Sequence, residues 1–166
     1  MAINNMMKET LRDFGETVEN DSNRLLAISD AQSAIHPAPG KWSPKEIIGH
    51  LIDSAANNHQ RFVRAQFKDD LVFPGYAQEE WVAIQHYQNE SWTELVNLWK
   101  SFNLHIAHLV SNIPEEKLKH ECRGHSLNKI AWKLVSENEP ATLEYMIVDY
   151  IGHMKSHLNQ IFGHAD

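Results

Sequence analysis

The stretch Ser43-Pro44-Lys45-Glu46-Ile47-Ile48-Gly49-His50-Leu51-Ile52-Asp53-Ser54 contains the best-marked helix start in the chain. Ser43 can accept from first-turn N–H groups, Pro44 suits the first helical position because no N–H is needed there, and Glu46 can reach back to close a capping box. The predicted helix runs to about Phe67. Its apolar face is Ile47, Ile48, Leu51, Ile52, Ala55, Phe62 and Val63, wide enough to pack against two neighbours. Gly49 is a mild local penalty within it.

Outward from this segment, helical periodicity predicts three more long helices. Leu11, Phe14, Val18, Leu25 and Ile28 recur at three- and four-residue steps, giving a stripe from about residue 4 to 30 that Asp21 interrupts. Ser91 and Glu94 repeat the capping-box signature ahead of Leu95, Trp99, Phe102, Ile106 and Leu109, and Ile113-Pro114 marks the end of that helix. The last helix follows Pro140-Ala141-Thr142, carries Leu143, Met146, Ile147, Tyr150, Ile151, Met154, Leu158 and Ile161, and stops at Gly163. The long connections hold weaker signals: a short helix from Gln78 to Tyr87, another from Glu115 to Leu118, and an amphipathic stretch near Ser126 to Val135. The expected fold is all-α, a four-helix bundle formed as one domain over residues 1–166. Its connections are long enough for a crossover instead of simple up-and-down order.

Composition narrows the function classes. With 15 basic and 22 acidic residues the formal net charge is -7, which repels phosphate backbones, so no nucleic-acid partner is expected. The N-terminal residues lack a signal-peptide apolar core and no apolar run is long enough for a bilayer, so no membrane association and a cytoplasmic location are expected. The one cysteine, Cys122, excludes a Cys-rich zinc cluster and leaves His, Asp and Glu as ligand types.

Histidine is abundant. His153 and His157 lie four apart in the last helix, one above the other on its surface, and His50 could complete a metal site from another helix. Spacing alone decides little, because 11 histidines in 166 residues would give roughly 0.7 such pairs in random order. At 100° per residue, Glu46, His50, Asp53 and Asn57 form a stripe opposite the apolar face, and such a stripe ordinarily faces water. His153 and His157 flank the apolar stripe beside Tyr150, at an edge between core and solvent. His105 and His108 read as a solvated face; His86, His120 and His125 lie in connections where one could line a pocket; His36, His59 and His164 have no informative spacing. Tyr150 and Trp42 read as core, with walling a pocket as the alternative. No His-Glu-x-x-His, Gly-x-Ser-x-Gly or phosphate-loop motif occurs, nor the Glu-x-x-His pairs of a di-iron bundle.

The segments Lys41-Trp42-Ser43-Pro44-Lys45-Glu46-Ile47-Ile48-Gly49-His50 and Asp149-Tyr150-Ile151-Gly152-His153-Met154-Lys155-Ser156-His157-Leu158-Asn159-Gln160-Ile161 resemble the DinB/YfiT-like superfamily of small bacterial four-helix proteins. The resemblance extends over about residues 10–163. It implies a bundle with a crossover and a divalent ion, zinc or nickel, held by His50, His153 and His157. Members similar to YfiT include thiol S-transferases that use low-molecular-weight bacterial thiols, while others carry a hydrolase description. Three imidazoles leave a fourth position open, where a thiol or a water would be acidified. The leading expectation is transfer of a small-molecule thiol to an electrophilic substrate, with metal-dependent hydrolysis and non-catalytic metal or ligand binding as alternatives. Asp53, Glu46 and Asp149 are candidates to orient imidazoles or shuttle protons. A homodimer is plausible for a small helical protein of this resemblance.

Overall fold

A computed structural model of the chain describes residues 5–163. The capping box read from the sequence forms: Ser43 accepts from the Glu46 N–H, Glu46 accepts from the Ser43 N–H at 2.8 Å, and Pro44 opens the helix Pro44–Ala65. The other long helices are Asn5–Leu26, Trp92–Ser111 and Leu143–Phe162. In chain order the helices are α1 (Asn5–Leu26), α2 (Asp30–Ser33), α3 (Pro44–Ala65), α4 (Gln78–Gln85), α5 (Trp92–Ser111), α6 (Glu115–Lys119), α7 (Leu127–Ile130) and α8 (Leu143–Phe162), with a 3₁₀ turn at Tyr87–Asn89. Among the described residues no strand forms, only two isolated bridge pairs, and no helix is long and apolar enough to cross a membrane.

The bundle order is not the chain order. Helix α1 packs on α5 and α8, and α3 packs on the same two, so α1 and α3 are diagonal partners, as are α5 and α8. Residues 27–43 and 112–142 therefore cross the bundle, whereas 66–91 join neighbours. Phe14, Phe62, Trp99 and Tyr150 meet in the core, with Tyr150 edge-on to Phe14 and Phe62 at centroid distances of 6.3 and 5.8 Å. The Tyr150 hydroxyl donates to Asn103 Oδ1, and Asn103 Nδ2 donates to the Trp99 carbonyl, so these central polar groups are satisfied.

Two helix extents and one cap differ from the sequence reading. The first helix ends at Leu26, because Ser29 and Gln32 make a capping box of their own and restart the chain as α2. Ser91 caps α5 by accepting from the Glu94 N–H, but among the described residues the Glu94 side chain does not return the bond. The amphipathic stretch near Ser126 to Val135 shrinks to the single turn of α7, since the Asp149 carboxylate takes the N–H groups of Trp132 and Lys133 that a longer helix would use internally. His164 lies outside the described residues.

Candidate metal centre

The face of α3 opposite Leu51 is buried, contrary to the expectation of a solvated stripe. His50 is 1% exposed and Asp53 4%, because α8, α4 and the connections close over the polar side of the helix. His153 and His157 stay half-buried, as their flanking position predicts. The three imidazoles converge. His153 Nε2 lies 3.3 Å from His50 Nε2 and 3.1 Å from His157 Nε2, and one ring nitrogen from each residue falls within 4.8 Å of the others. Two Nε2 atoms bound to one tetrahedral zinc at the usual bond length would be separated by about 3.3 Å.

Protonation agrees with that geometry. Burial pushes the His50 imidazole down to about 3, aided by the neighbouring His157 and His153, and it pushes His153 down to about 4, aided by His157. His157 is lowered by burial and partly restored by Gln160. The cluster is therefore neutral at physiological pH, with lone pairs available for a cation. His157 Nδ1–H donates to Gln160 Oε1 at 3.0 Å, which turns the Nε2 lone pair toward the other two rings. His50 Nδ1 is buried with no hydrogen-bonding protein group among the described residues. Trp42 stacks obliquely over His50 and His157, with centroids 5.1 and 6.4 Å away, and its other contacts pack against the hydrophobic core, so it joins the two.

Each ligand-bearing helix receives an aromatic side chain against a glycine. A Cβ on Gly49 would sit 2.1 Å from the Tyr87 ring, so only glycine permits that ring to lie on α3. There its hydroxyl donates to Asp53 Oδ1 at 2.8 Å, alongside Gln85 Nε2 at 2.8 Å. A Cβ on Gly152 would stand 2.9 Å from Trp132, whose ring centroid is 6.5 Å from that of His153.

The three carboxylates suggested for orienting imidazoles engage other groups. Glu46 holds the α3 cap and accepts from His36 Nε2 at 2.9 Å. Asp53 ties α3 to α4 and the 3₁₀ turn, and burial raises its pKa against the opposing effect of the Gln85 and Tyr87 donors. Asp149 accepts from the Trp132 and Lys133 N–H groups at 2.9 and 2.7 Å and so fixes Trp132 over α8. None of them is hydrogen-bonded to one of the three imidazoles. Of the remaining histidines, His59 approaches His105 at a centroid distance of 5.2 Å, His125 bonds the Glu139 carbonyl oxygen, and His86, His120 and His125 do not line the cavity.

The cluster lies at one side of a cavity of about 760 Å³ between α3, α8 and the two long connections. Sequence reasoning did not assign Gln160 or Tyr76 a role. Gln160 stands three residues after His157 on one helix face, a signal that was present. Tyr76 reaches the site from a connection, 6.5 Å from His50 between ring centroids, and nothing local marks it.

The model of the DinB superfamily matches residues 16–161. A protein of Oceanobacillus iheyensis named as a putative metal-dependent hydrolase is 25% identical over 137 residues, covering 75% of this chain and 79% of the relative. The structure of YfiT from Bacillus subtilis, described as a probable metal-dependent hydrolase with an unusual four-helix bundle topology, superposes with a TM-score of 0.76. At 17% identity it covers 98% of this chain and 87% of its own. Its likeness supports the diagonal bundle on fold alone, and the match across residues 16–161 identifies the chain as a member of the DinB superfamily.

Proposed function

We propose that this protein is a metal-dependent transferase that joins a small-molecule thiol to an electrophile, with His50, His153 and His157 holding a divalent ion, zinc or nickel. The observation that carries this reading is the convergence of three neutral imidazoles on a cavity, with no carboxylate hydrogen-bonded to them among the described residues. A divalent ion held there supplies charge that acidifies a thiol or water at its remaining position. A free thiol begins near pKa 8.5 and needs little further help to ionise, whereas activation of water ordinarily recruits a positioned base. Glu46, Asp53 and Asp149 already accept hydrogen bonds from other groups.

In the proposed reaction the thiol sulfur attacks an electrophilic carbon. The S–C bond forms, the leaving group departs with its bonding pair, and the thiol proton passes to solvent. Trp42 and Trp132 wall the histidines and limit water, while Gln160 holds His157 in one tautomer. Hydrolysis is the second reading, favoured by the names of the Oceanobacillus relative and of YfiT. A paired assay separates them: consumption of 1-chloro-2,4-dinitrobenzene with and without a panel of thiols, beside hydrolysis of p-nitrophenyl acetate without thiol. Metal-dependent, thiol-dependent chloride release that His153→Ala abolishes is the expected result. Metal-dependent ester cleavage with no thiol dependence would replace transfer with hydrolysis.

A further inference from the structure

The cavity has a second pole. His50, Ser54, Asn58 and Arg61 follow one another along α3 at steps of four, four and three residues, which keeps them within about 80° of arc, and all four line the cavity. Arg61 is only 7% exposed, and among the described residues it forms no ion pair. Its guanidinium donates to Asn58 Oδ1 at 3.3 Å and to the Pro74 carbonyl at 2.8 Å. These use two of its five N–H donors. Leaning back toward Asn58 places the charge about 12 Å along the helix axis from His50.

A buried cation without a counter-ion is an expensive feature for a fold to retain. Tethering the Pro74 carbonyl does not require charge, since a neutral amide donor would serve. The planar fork of a guanidinium matches a carboxylate. Lys129, exposed and also lining the cavity, adds a second cation; the acidic groups of the lining are Glu79 and Glu80 at the start of α4 and Asp149, whose carboxylate is tied to the Trp132 and Lys133 N–H groups.

We infer that Arg61 binds the carboxylate of a small-molecule substrate whose reacting group lies at the histidine cluster, an inference that rests on the proposed metal-dependent function for its second pole. Ser54 and Asn58 lie along the cavity wall between the two poles. The carboxylate can belong to the thiol or to its electrophilic partner, and the choice of probes separates these sources.

The full chain supplied with one equivalent of zinc is titrated calorimetrically with 8-mercaptooctanoate, 8-mercaptooctanamide, octanoate and octanamide. Each carboxylate is expected to bind at least tenfold more tightly than its amide. Arg61→Gln, which keeps a donor for the Pro74 carbonyl, should erase that ratio while leaving amide binding unchanged, and Arg61→Lys should retain part of it. Thermal unfolding monitors the fold of both variants, and if Arg61→Gln does not fold, the Arg61→Lys titration decides. A further gain for 8-mercaptooctanoate over octanoate assigns the carboxylate to the thiol; equal binding assigns it to the electrophile. A preference that persists undiminished in Arg61→Gln places the anion on the metal and overturns the inference, as does equal binding of acid and amide by the parent. If the ratio depends on Arg61 but no turnover occurs, the substrate class stands and thiol transfer falls.

Discussion

The tripeptide Ile-Gly-His occurs twice, at Ile48-Gly49-His50 in α3 and at Ile151-Gly152-His153 in α8, and the two copies end on imidazoles whose Nε2 atoms are 3.3 Å apart. Their settings differ. Around Gly49 the helix is closed: Tyr87 is 7% exposed, its ring lies where a methyl group would go, and its hydroxyl is committed to Asp53. Around Gly152 the helix is open, because Trp132 is 44% exposed and held through its backbone by Asp149. One half of the site is built like a core and the other like a wall, so the first holds its imidazole in a closed setting while the second stands beside the cavity.

The severest break is His153→Ala. His153 stands between the other two imidazoles, and its loss should weaken metal affinity by more than about 100-fold, beyond the range seen when an outer partner of a ligand is removed. Metal analysis of protein purified without a histidine tag, with His50→Ala alongside, reads this directly; near-stoichiometric metal retained in both variants would refute the ligand set. Next comes Gly49→Ala. Alanine improves helix propensity by about 1 kcal/mol, but displacing the Tyr87 ring and losing its bond to Asp53 should leave a net destabilisation of about 3 kcal/mol. Urea unfolding would show it, and an unchanged midpoint would mean that Tyr87 yields freely.

Acid tests both halves together. All three imidazoles are held below the unfolded value near 6.5, so the unfolded chain takes up protons first. Their contribution is complete above that value and is lost as pH falls toward about 4 for His153 and about 3 for His50. The raised pKa of Asp53 works in the opposite sense, one group against three. Metal-free protein should therefore lose on the order of 4 kcal/mol between pH 7.5 and 5, measured by urea melts, and a flat profile would contradict neutral burial of the cluster. The mildest change is Gly152→Ala. Trp132 can swing outward by a few tenths of an ångström, so stability should change by less than about 1 kcal/mol, while tryptophan fluorescence reports the altered wall; a loss matching that of Gly49→Ala would erase the distinction.

The contrast also marks what the chain discloses locally. Helix starts at Ser43 and Ser91, the stop at Gly163 and the His153/His157 pair are legible because capping and i, i+4 spacing involve residues within one turn. The restart at Ser29 was equally local, since Gln32 completes its capping box, but the longer apolar stripe obscured it. Burial of His50 was not legible. A polar stripe predicts solvent unless something distant covers it, and the cover comes from α8 and two connections far along the chain. Gly49 likewise reads as a penalty until Tyr87, 38 positions away, fills the space beside it.

The diagonal order of the helices also bears on how the protein is assembled. His50 and His153 are 103 residues apart, and the last long helix supplies two of the three imidazoles. The complete three-histidine set therefore exists only once that loop is closed, after the polypeptide has threaded both crossings and docked α8. Ion capture becomes the final latch on a finished bundle, and metal starvation would appear as shortened lifetime of the folded protein, with its rate of folding little changed.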